Sequence, residues 1–407
     1  MKIGYIVADY DVPLVGSEGC SLHIHGLTDA LRAAGHDVFF LCAEPGERAG
    51  ADDRVYAIEP RGLGAAAWDA LMADMAVWNA DLDRDLRLLF FNEWLQTEGA
   101  RIVAAEQPDV LYERYALFGW GGTELARRRG IPLLLEVNTD LRTEQDGYRK
   151  FVFTEAAEQI ERAVFGAASA VLPVSEWLRD YAVSQGAERE RVHVVPNAVD
   201  ASLFAEAPSG AATRARYGLA DCHVVGFVGS LQPWHDLTGL LHAFELLHTF
   251  DSDIRLLIVG DGDARSSLAD EARRRRLGHA VTFTGHLTHA AVPDAIAAMD
   301  VAVAPYKGGQ ELGFLPMKLF EYMAAGRPTV AAAVGAIPSY VEDGETGRLY
   351  APGDDEALAA AIAECLAEPG RAAEMGRRAR DRALAEHTWD MTAAKVVALA
   401  ERLVASG

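Results

Sequence analysis

The chain begins with an apolar run, KIGYIVADY (residues 2–10), followed by a glycine-containing loop, VPLVGSEG. After it comes a segment whose Leu22, Leu27 and Leu31 lie on one side of a helix. Strand, loop and helix in that order form the unit of a parallel sheet. The alternation returns with DVFFLC (37–42), DVLYER (109–114), IPLLLEV (131–137) and AVLPV (170–174), each near a helical segment, which predicts a first Rossmann-like domain. Residues 64–106 interrupt it with a longer acidic, aromatic helical stretch containing Trp68, Trp78, Phe90, Phe91 and Trp94, read as an insertion covering one face of the sheet.

Near VVPNAVDASLF (194–204) a strand runs into a Pro-Asn turn, and the APSGAATRARYG that follows is small and polar, as a linker should be. The pattern then restarts with CHVVGFVGS (222–230) and a helix carrying Leu237, Leu240, Leu241, Phe244 and Leu247 at helical spacing. RLLIVGDG (255–262), AVTFTG (280–285), DVAVAP (300–305), PTVAAAVG (328–335) and a mostly helical tail complete it. The expected fold class is therefore α/β, with two Rossmann-like parallel-sheet domains, 1–198 and 199–388, and an interdomain cleft. A last helix, about 389–407, is expected to pack back on the first domain. The length of 407 residues suits two domains of about 200 each. In such sheets ligands sit at the carboxyl ends of the strands.

The formal net charge of −22 sets the whole field against nucleic acid and against docking by a basic surface onto anionic lipid. Half of the residues are hydrophobic, yet no run of about 18 apolar residues and no cleavable signal pattern stands at either end, the reading for a soluble, cytoplasmic protein. Cys20, Cys42, Cys222 and Cys365 are far apart, with neither metal-ligand spacing nor a disulfide framework, and read as ordinary reduced residues.

Candidate chemistry concentrates in FLPMKLFEYMAAGRP (314–328). Pro316 fits the first helical position, Gly326 the position just past the end, and Pro328 blocks continuation, which predicts a helix of about ten residues. Its free N–H groups would point into the strand-end crevice, where an anion is favoured. Lys318 in the first turn adds a positive charge. Glu321 lies about 7 Å along the axis from the helix start, near the distance between a nucleotide's diphosphate and its ribose hydroxyls. The same two residues also fit a surface ion pair worth a few tenths of a kcal/mol. Gly229 and Ser230 lead into another helix whose N–H groups suit an anion, or serve a loop needing glycine for shape alone. Gly16 to Gly19, after the first strand, allows the same two readings without matching G-x-G-x-x-G.

The ordered set VPNAVD, FVGSLQPWHD, LLIVGDGDARSSL, VTFTGHL, VAVAPY and PMKLFEYMAAGRPTVAAAVGAIPSYVEDGETGRLY resembles the large family of retaining glycosyltransferases with the GT-B fold. That family includes bacterial mannosyl- and N-acetylglucosaminyltransferases and sucrose synthases. The resemblance covers nearly the whole second domain, and the first more loosely through its glycine loop and EVN segment. It implies that Glu321 contacts the ribose of a nucleoside diphosphate sugar. An earlier glutamate, eight positions before, would touch the donor sugar, but Gly313 stands there and Glu311 is two residues off. The amides of Gly313, Phe314 and Leu315 are the remaining sugar or phosphate contacts. Relatives carry Arg and Lys where Ser230 and His235 stand, which leaves Lys318 to neutralise the diphosphate, with His235 expected to gain a proton beside the phosphates. Trp234 is read as packing the loop.

Backbone atoms near Thr284, Gly285 and His286 are implied to read the base, which leaves its identity open. Asn138, Asp140 and Glu144, with His23, His25 and Arg114, are the acceptor-side candidates. No Asp-x-Asp cluster stands in a credible loop, so no essential metal is expected and no cofactor beyond the donor. The implied reaction is transfer with retention to an acceptor, a small soluble or natural-product molecule by the acidic surface. Rival readings are a nucleotide-sugar epimerase or phosphorylase of similar fold and a catalytically silent sugar-nucleotide-binding protein.

Overall fold

The computed structural model describes residues 1–16, 18–46, 54–59, 63–78, 80–143, 150–308 and 313–406. The chain divides into two compact units, Met1–Pro196 with Asp390–Gly407, and Asn197–Trp389. From Asp390 onward, the helix Trp389–Ser406 belongs to the first.

The first unit is built on β1 (Lys2–Val7), β2 (Asp37–Cys42), β3 (Val55–Ala57), β4 (Val110–Arg114), β5 (Leu133–Val137) and β6 (Ala170–Pro173), in the order β3-β2-β1-β4-β5-β6. Every neighbouring pair is parallel. The second unit repeats the plan with β7 (His223–Val228), β8 (Ile254–Val259), β9 (Val281–Gly285), β10 (Val301–Ala304), β11 (Thr329–Ala332) and β12 (Arg348–Tyr350), in the order β12-β11-β10-β7-β8-β9, again all parallel. Central strands buried along almost their whole length, such as Ile3–Val7 and Val224–Val228, explain why the sequence reads as continuous apolar runs. Chain order reverses between β1 and β4 in one sheet and between β7 and β10 in the other. These reversals open a crevice at the strand C-termini of each sheet.

Several expectations are corrected. The edge strands β3 and β12 go unseen in the sequence because three residues with polar or half-buried neighbours carry too little periodicity. Residues near 194 form no strand of their own. His193 and Val195 donate to the Val171 and Pro173 carbonyls, and a 3-10 turn, Ala201–Phe204, follows under the Asp200 cap. The helix carrying Lys318 spans Met317–Ala324, eight residues rather than about ten. Pro316 is its extended cap, at ψ 127, and accepts from the Leu319 amide instead of occupying the first helical position. Gly326 takes φ +66 just past the end, as the sequence suggests.

The insertion folds as helices Leu63–Trp78 and Ala80–Trp94, a π-helical turn Leu95–Gly99 and the helix Ala100–Glu106. Trp68 meets Phe90 and Trp94 at 4.8 and 4.9 Å between ring centres. Buried Asn92 ties the insertion to the loop after β4, donating to the Phe118 carbonyl and accepting from the Trp120 and Gly121 amides. The Trp78 side chain lies outside the described residues. No helix among the described residues is long and apolar enough to cross a membrane.

Tyr322 fixes the Met317–Ala324 helix against the second sheet. Its hydroxyl accepts from Val228 N–H at 2.8 Å, at the end of β7, and donates to the Val303 carbonyl at 3.3 Å, in β10. Tyr322→Phe strands both buried groups, so a loss of about 1–3 kcal/mol is expected in the unfolding of the second unit. Chemical denaturation of the variant beside the wild type checks this; equal midpoints would show that the helix does not depend on the hydroxyl.

Candidate functional site

In the second unit the loops after β7, β8 and β9 interlock through glycine backbone. Gly229 N–H donates to Val259 O, Leu231 N–H to Asp261 O and Gly260 N–H to Gly285 O. A Cβ on Gly260 would stand 2.0 Å from the Gly229 carbonyl oxygen. Gly229 itself has φ +144, and a Cβ there would meet Lys318 Nζ at 2.7 Å. Glycine is needed here both for shape and to admit the lysine.

The amides of Gln232, His235, Asp236 and Leu237 are committed to backbone carbonyls, and the Asp236 carboxylate caps the helix Leu237–Phe250 by accepting from Gly239 N–H. A carboxylate of the chain itself thus occupies the helix start. Ser230 is exposed, and its amide has no backbone partner among the described residues.

Lys318 and Glu321 are both buried, each 9 % exposed, and they do not pair with one another. Glu321 Oε1 accepts from His289 Nε2 at 3.2 Å. That hydrogen bond, acting against burial, raises the pKa of the imidazole. Lys318 Nζ lies 4.2 Å from the centre of the Phe227 ring and donates to His235 Nε2 at 2.7 Å. Burial pushes its pKa down from 10.5 to about 7, against a small upward pull from Glu321. Among the described residues no carboxylate forms an ion pair with Lys318.

His235 is buried, and burial together with Lys318 holds its pKa well below the usual value, so without a phosphate beside it the ring is neutral. Trp234 is half-buried, with its ring 6.0 Å from that of His235.

The segment before the Lys318 helix is held by Asn197, whose Nδ2 donates to the Leu315 carbonyl at 2.5 Å. Gly313 and Leu315 are buried and Phe314 is half-buried, 5.7 Å from the Tyr306 ring. The amides of Phe314, Leu315, Met317 and Lys318 have no hydrogen-bond partner among the described residues, so a row of free donors leads up to the lysine. Glu311 and Glu144 lie outside the described residues. At the end of β9, Gly285 has φ +72 and its carbonyl accepts from both Gly260 N–H and the Thr284 hydroxyl, while His286 is exposed.

In the first unit, the crevice between β1 and β4 is a small cavity lined by Asp9, Val12, Arg114, Tyr115, Asn138 and Thr139 among others. Register brings Val7, Arg114 and Glu136 side by side at the strand ends. Buried Glu136 accepts from His23 Nε2 at 2.9 Å, the Tyr112 hydroxyl at 2.5 Å, Arg114 Nη1 at 2.9 Å and Asn138 Nδ2. Burial alone would raise its pKa, but His23, Arg114 and Tyr112 together hold it at about 2.

The structure thus brings His23, Arg114 and Asn138 together on one carboxylate. His25, two residues along the helix Gly19–Ala33, points elsewhere and is half-exposed. Asp140 is buried and accepts from Thr143 N–H at 3.2 Å, a local turn. Gly16 is exposed, and a Cβ there would meet Ser21 Oγ at 2.7 Å.

Residues 18–198 match the family described as Glycosyl transferase 4-like domain, and residues 222–368 match Glycosyl transferases group 1. The chain is 32% identical over 320 residues to D-inositol 3-phosphate glycosyltransferase of Acidothermus cellulolyticus, covering 73% of this chain and 69% of that protein. The chain belongs to this glycosyltransferase family. A second relative of this glycosyltransferase, glycogen synthase of Mycobacterium tuberculosis, is 25% identical over 95% of this chain and 92% of its own length. The Anabaena protein Alr3699/HepE, solved with UDP-glucose, shares the fold at a TM-score of 0.74 and 20% identity, over 100% of both chains. The glycosyltransferase is thus α/β with two parallel six-stranded sheets, a GT-B chain.

Sequence reading of this glycosyltransferase missed Glu136, His289 and the role of Asn197. The signal for Glu136 was present as a lone acid inside LLLEV; His289 and Asn197 act through partners that only the fold supplies.

Glu136→Gln removes the charge that four donors share and leaves Arg114 uncompensated, an expected loss of about 3–5 kcal/mol in the first unit. Because the folded pKa lies below the ordinary 4.5, the carboxylate's contribution is full above that pH and fades as pH falls toward 2. Acid titration of unfolding should show wild type and variant converging over that window; a constant gap would contradict the charge assignment.

Proposed function

We propose that this glycosyltransferase moves a sugar from a nucleoside diphosphate sugar to a small soluble or natural-product acceptor, with retention at the anomeric carbon and without a metal or other cofactor. The observation that carries the reading is Lys318: a buried ammonium at the reversal point of the second sheet, beside a row of free amides and without a carboxylate partner among the described residues. A cation so placed is matched by a polyanion such as a diphosphate. Glu321, one turn further along, accepts the ribose hydroxyls in exchange for or beside His289. The base lies against the backbone of Thr284, Gly285 and His286. Both acceptor positions of the Gly285 carbonyl are already used, which leaves the neighbouring His286 backbone as the hydrogen-bonding edge. The UDP-glucose complex of the Anabaena structure supports a nucleotide-sugar donor.

The acceptor is assigned to the first unit's cavity, with Arg114, Asn138 and His23 ordered by Glu136. In the reaction the bond from the anomeric carbon to the diphosphate oxygen breaks while the acceptor oxygen bonds to that carbon on the same face. The acceptor's proton passes to the departing diphosphate. Lys318 and the free amides stabilise the charge that develops on that leaving group.

A panel of UDP- and GDP-sugars tests this by thermal stabilisation and by slow hydrolysis. Lys318→Ala is expected to lower turnover about 10²–10³-fold, and Glu321→Ala to weaken donor binding about tenfold or more. Anomeric retention is read from the product by NMR, and a chelator should leave the rate unchanged. Wild-type behaviour of both variants toward the best donor would remove the assignment.

The pKa of Lys318 adds a pH signature. Only the ammonium attracts the diphosphate, and in the free protein it is lost above about 7. Affinity for a nucleoside diphosphate should therefore fall above pH 7, approaching tenfold per pH unit, with proton uptake on binding. Calorimetry in buffers of different ionisation enthalpy measures that uptake; flat affinity from pH 7 to 9 would mean that Lys318 is not the diphosphate cation.

A further inference from the structure

His235 is held by two partners that together select one form of its ring. Nδ1 lies 2.8 Å from the Ser230 carbonyl oxygen, which can only accept, so Nδ1 carries a proton. Nε2 lies 2.7 Å from Lys318 Nζ, and an ammonium can only donate, so Nε2 presents its lone pair. A doubly protonated ring would set an N–H against the ammonium. The ring cannot turn away, because Phe227 and Tyr306 flank it at 5.1 and 5.2 Å between centres. Its backbone is bridged to Tyr306, and the next amide, Asp236 N–H, donates to the Pro305 carbonyl. Among the described residues, the titratable groups facing the imidazole are thus Lys318 and the Tyr306 phenol. Glu321 is turned to His289 instead.

We propose that His235 is a positioning residue of the donor site: a neutral acceptor, locked in its Nδ1–H tautomer, that aims Lys318 at the diphosphate and is not itself a cation on the phosphates. The proposal rests on the reading of Lys318 as the diphosphate cation. Lysine is a flexible point charge with three donors, and one well-placed lone pair fixes the ammonium while leaving the other two N–H bonds to face a ligand. Gly229 leaves the space on the far side into which Nζ projects. His235 thereby acts on the donor through the lysine of another segment, 83 residues away in sequence, and supplies no charge of its own.

The test is ¹⁵N imidazole spectroscopy of the wild-type protein from pH 6.5 to 8, with His235 assigned by comparison with His235→Gln. The expected result is a protonated Nδ1 and an unprotonated Nε2, in the free protein and with saturating UDP, GDP or inorganic diphosphate. An Nε2–H tautomer or an imidazolium in either state overturns the proposal. A second arm compares His235→Ala with His235→Gln, whose amide can donate to Ser230 and accept from Lys318. Binding of the same three ligands should weaken about tenfold in the alanine variant and recover to within about threefold of wild type in the glutamine variant, as expected for one buried hydrogen bond to a charged group. If glutamine binds as poorly as alanine, the imidazole acts as a charge and the proposal fails. A wild type that binds none of the three ligands overturns the donor-site reading, whereas the spectra of the free protein still decide whether His235 is the neutral acceptor for Lys318.

Discussion

Keeping an ammonium inside the second unit is the constraint to which its strand-end loops answer. Moving the Lys318 pKa from 10.5 to about 7 corresponds to roughly 5 kcal/mol against the charged form. The surroundings soften that cost without cancelling it: the Phe227 face, a neutral imidazole lone pair and a glycine where any side chain would collide. None of these carries a negative charge. A lysine kept for packing alone would be replaced by an apolar residue at no loss, since buried charges are generally no better for stability than well-packed hydrophobes. The arrangement makes physical sense when an anion arrives and restores the missing attraction.

The first unit solves the opposite problem at the equivalent place. Its sheet also reverses order at the centre, and it too carries a buried charge beside the reversal, but Glu136 is satisfied by four donors and its pKa is held at about 2. A saturated carboxylate is a poor ligand and a good organiser. It fixes the orientation of Arg114, His23 and Asn138, whose remaining surfaces line or approach the cavity. Among the described residues, one unit leaves its buried charge without an ion-pair partner and the other saturates its own, the division that the proposed reading asks of a site for a charged leaving group and a site that orients a hydroxyl.

How much of this was legible in the sequence follows from the range of each signal. Strands buried on both faces announce themselves as apolar runs, and Gly326 and Pro328 mark a helix end locally, so the sheets and the Lys318 helix were readable. The three-residue edges β3 and β12 were not, because their register comes from the neighbouring strand and not from their own pattern. Among site residues, Lys318 and Glu321 stood out as charges in an apolar helix. Their partners did not: His235 is 83 residues from Lys318, His289 is 32 from Glu321, and His23 is 113 from Glu136. The packing of His235 against Lys318 was hidden for the same reason: a histidine beside expected phosphates suggests a cation, and the lysine that lowers its pKa in the free protein lies far off in sequence.

On the proposed reading of the site, the departures from the family pattern at Ser230, His235 and Gly313 belong to one physical change. Where the family resemblance implies fixed cations in the loop after β7, this chain commits the amides of Gln232, His235 and Asp236 to its own backbone and puts an Asp236 carboxylate at the helix start. On the proposed reading a phosphate is drawn instead to the segment where Phe314, Leu315, Met317 and Lys318 offer amides unpaired among the described residues and Asn197 holds the chain that bears them. Charge neutralisation on that reading falls to the β10 side and not to the β7 loop. A glutamate at position 313 would set a carboxylate among those amides and compete with the phosphate for them, so its replacement by glycine is consistent with a site in which the backbone itself, and not an acidic side chain, meets the donor's anionic end.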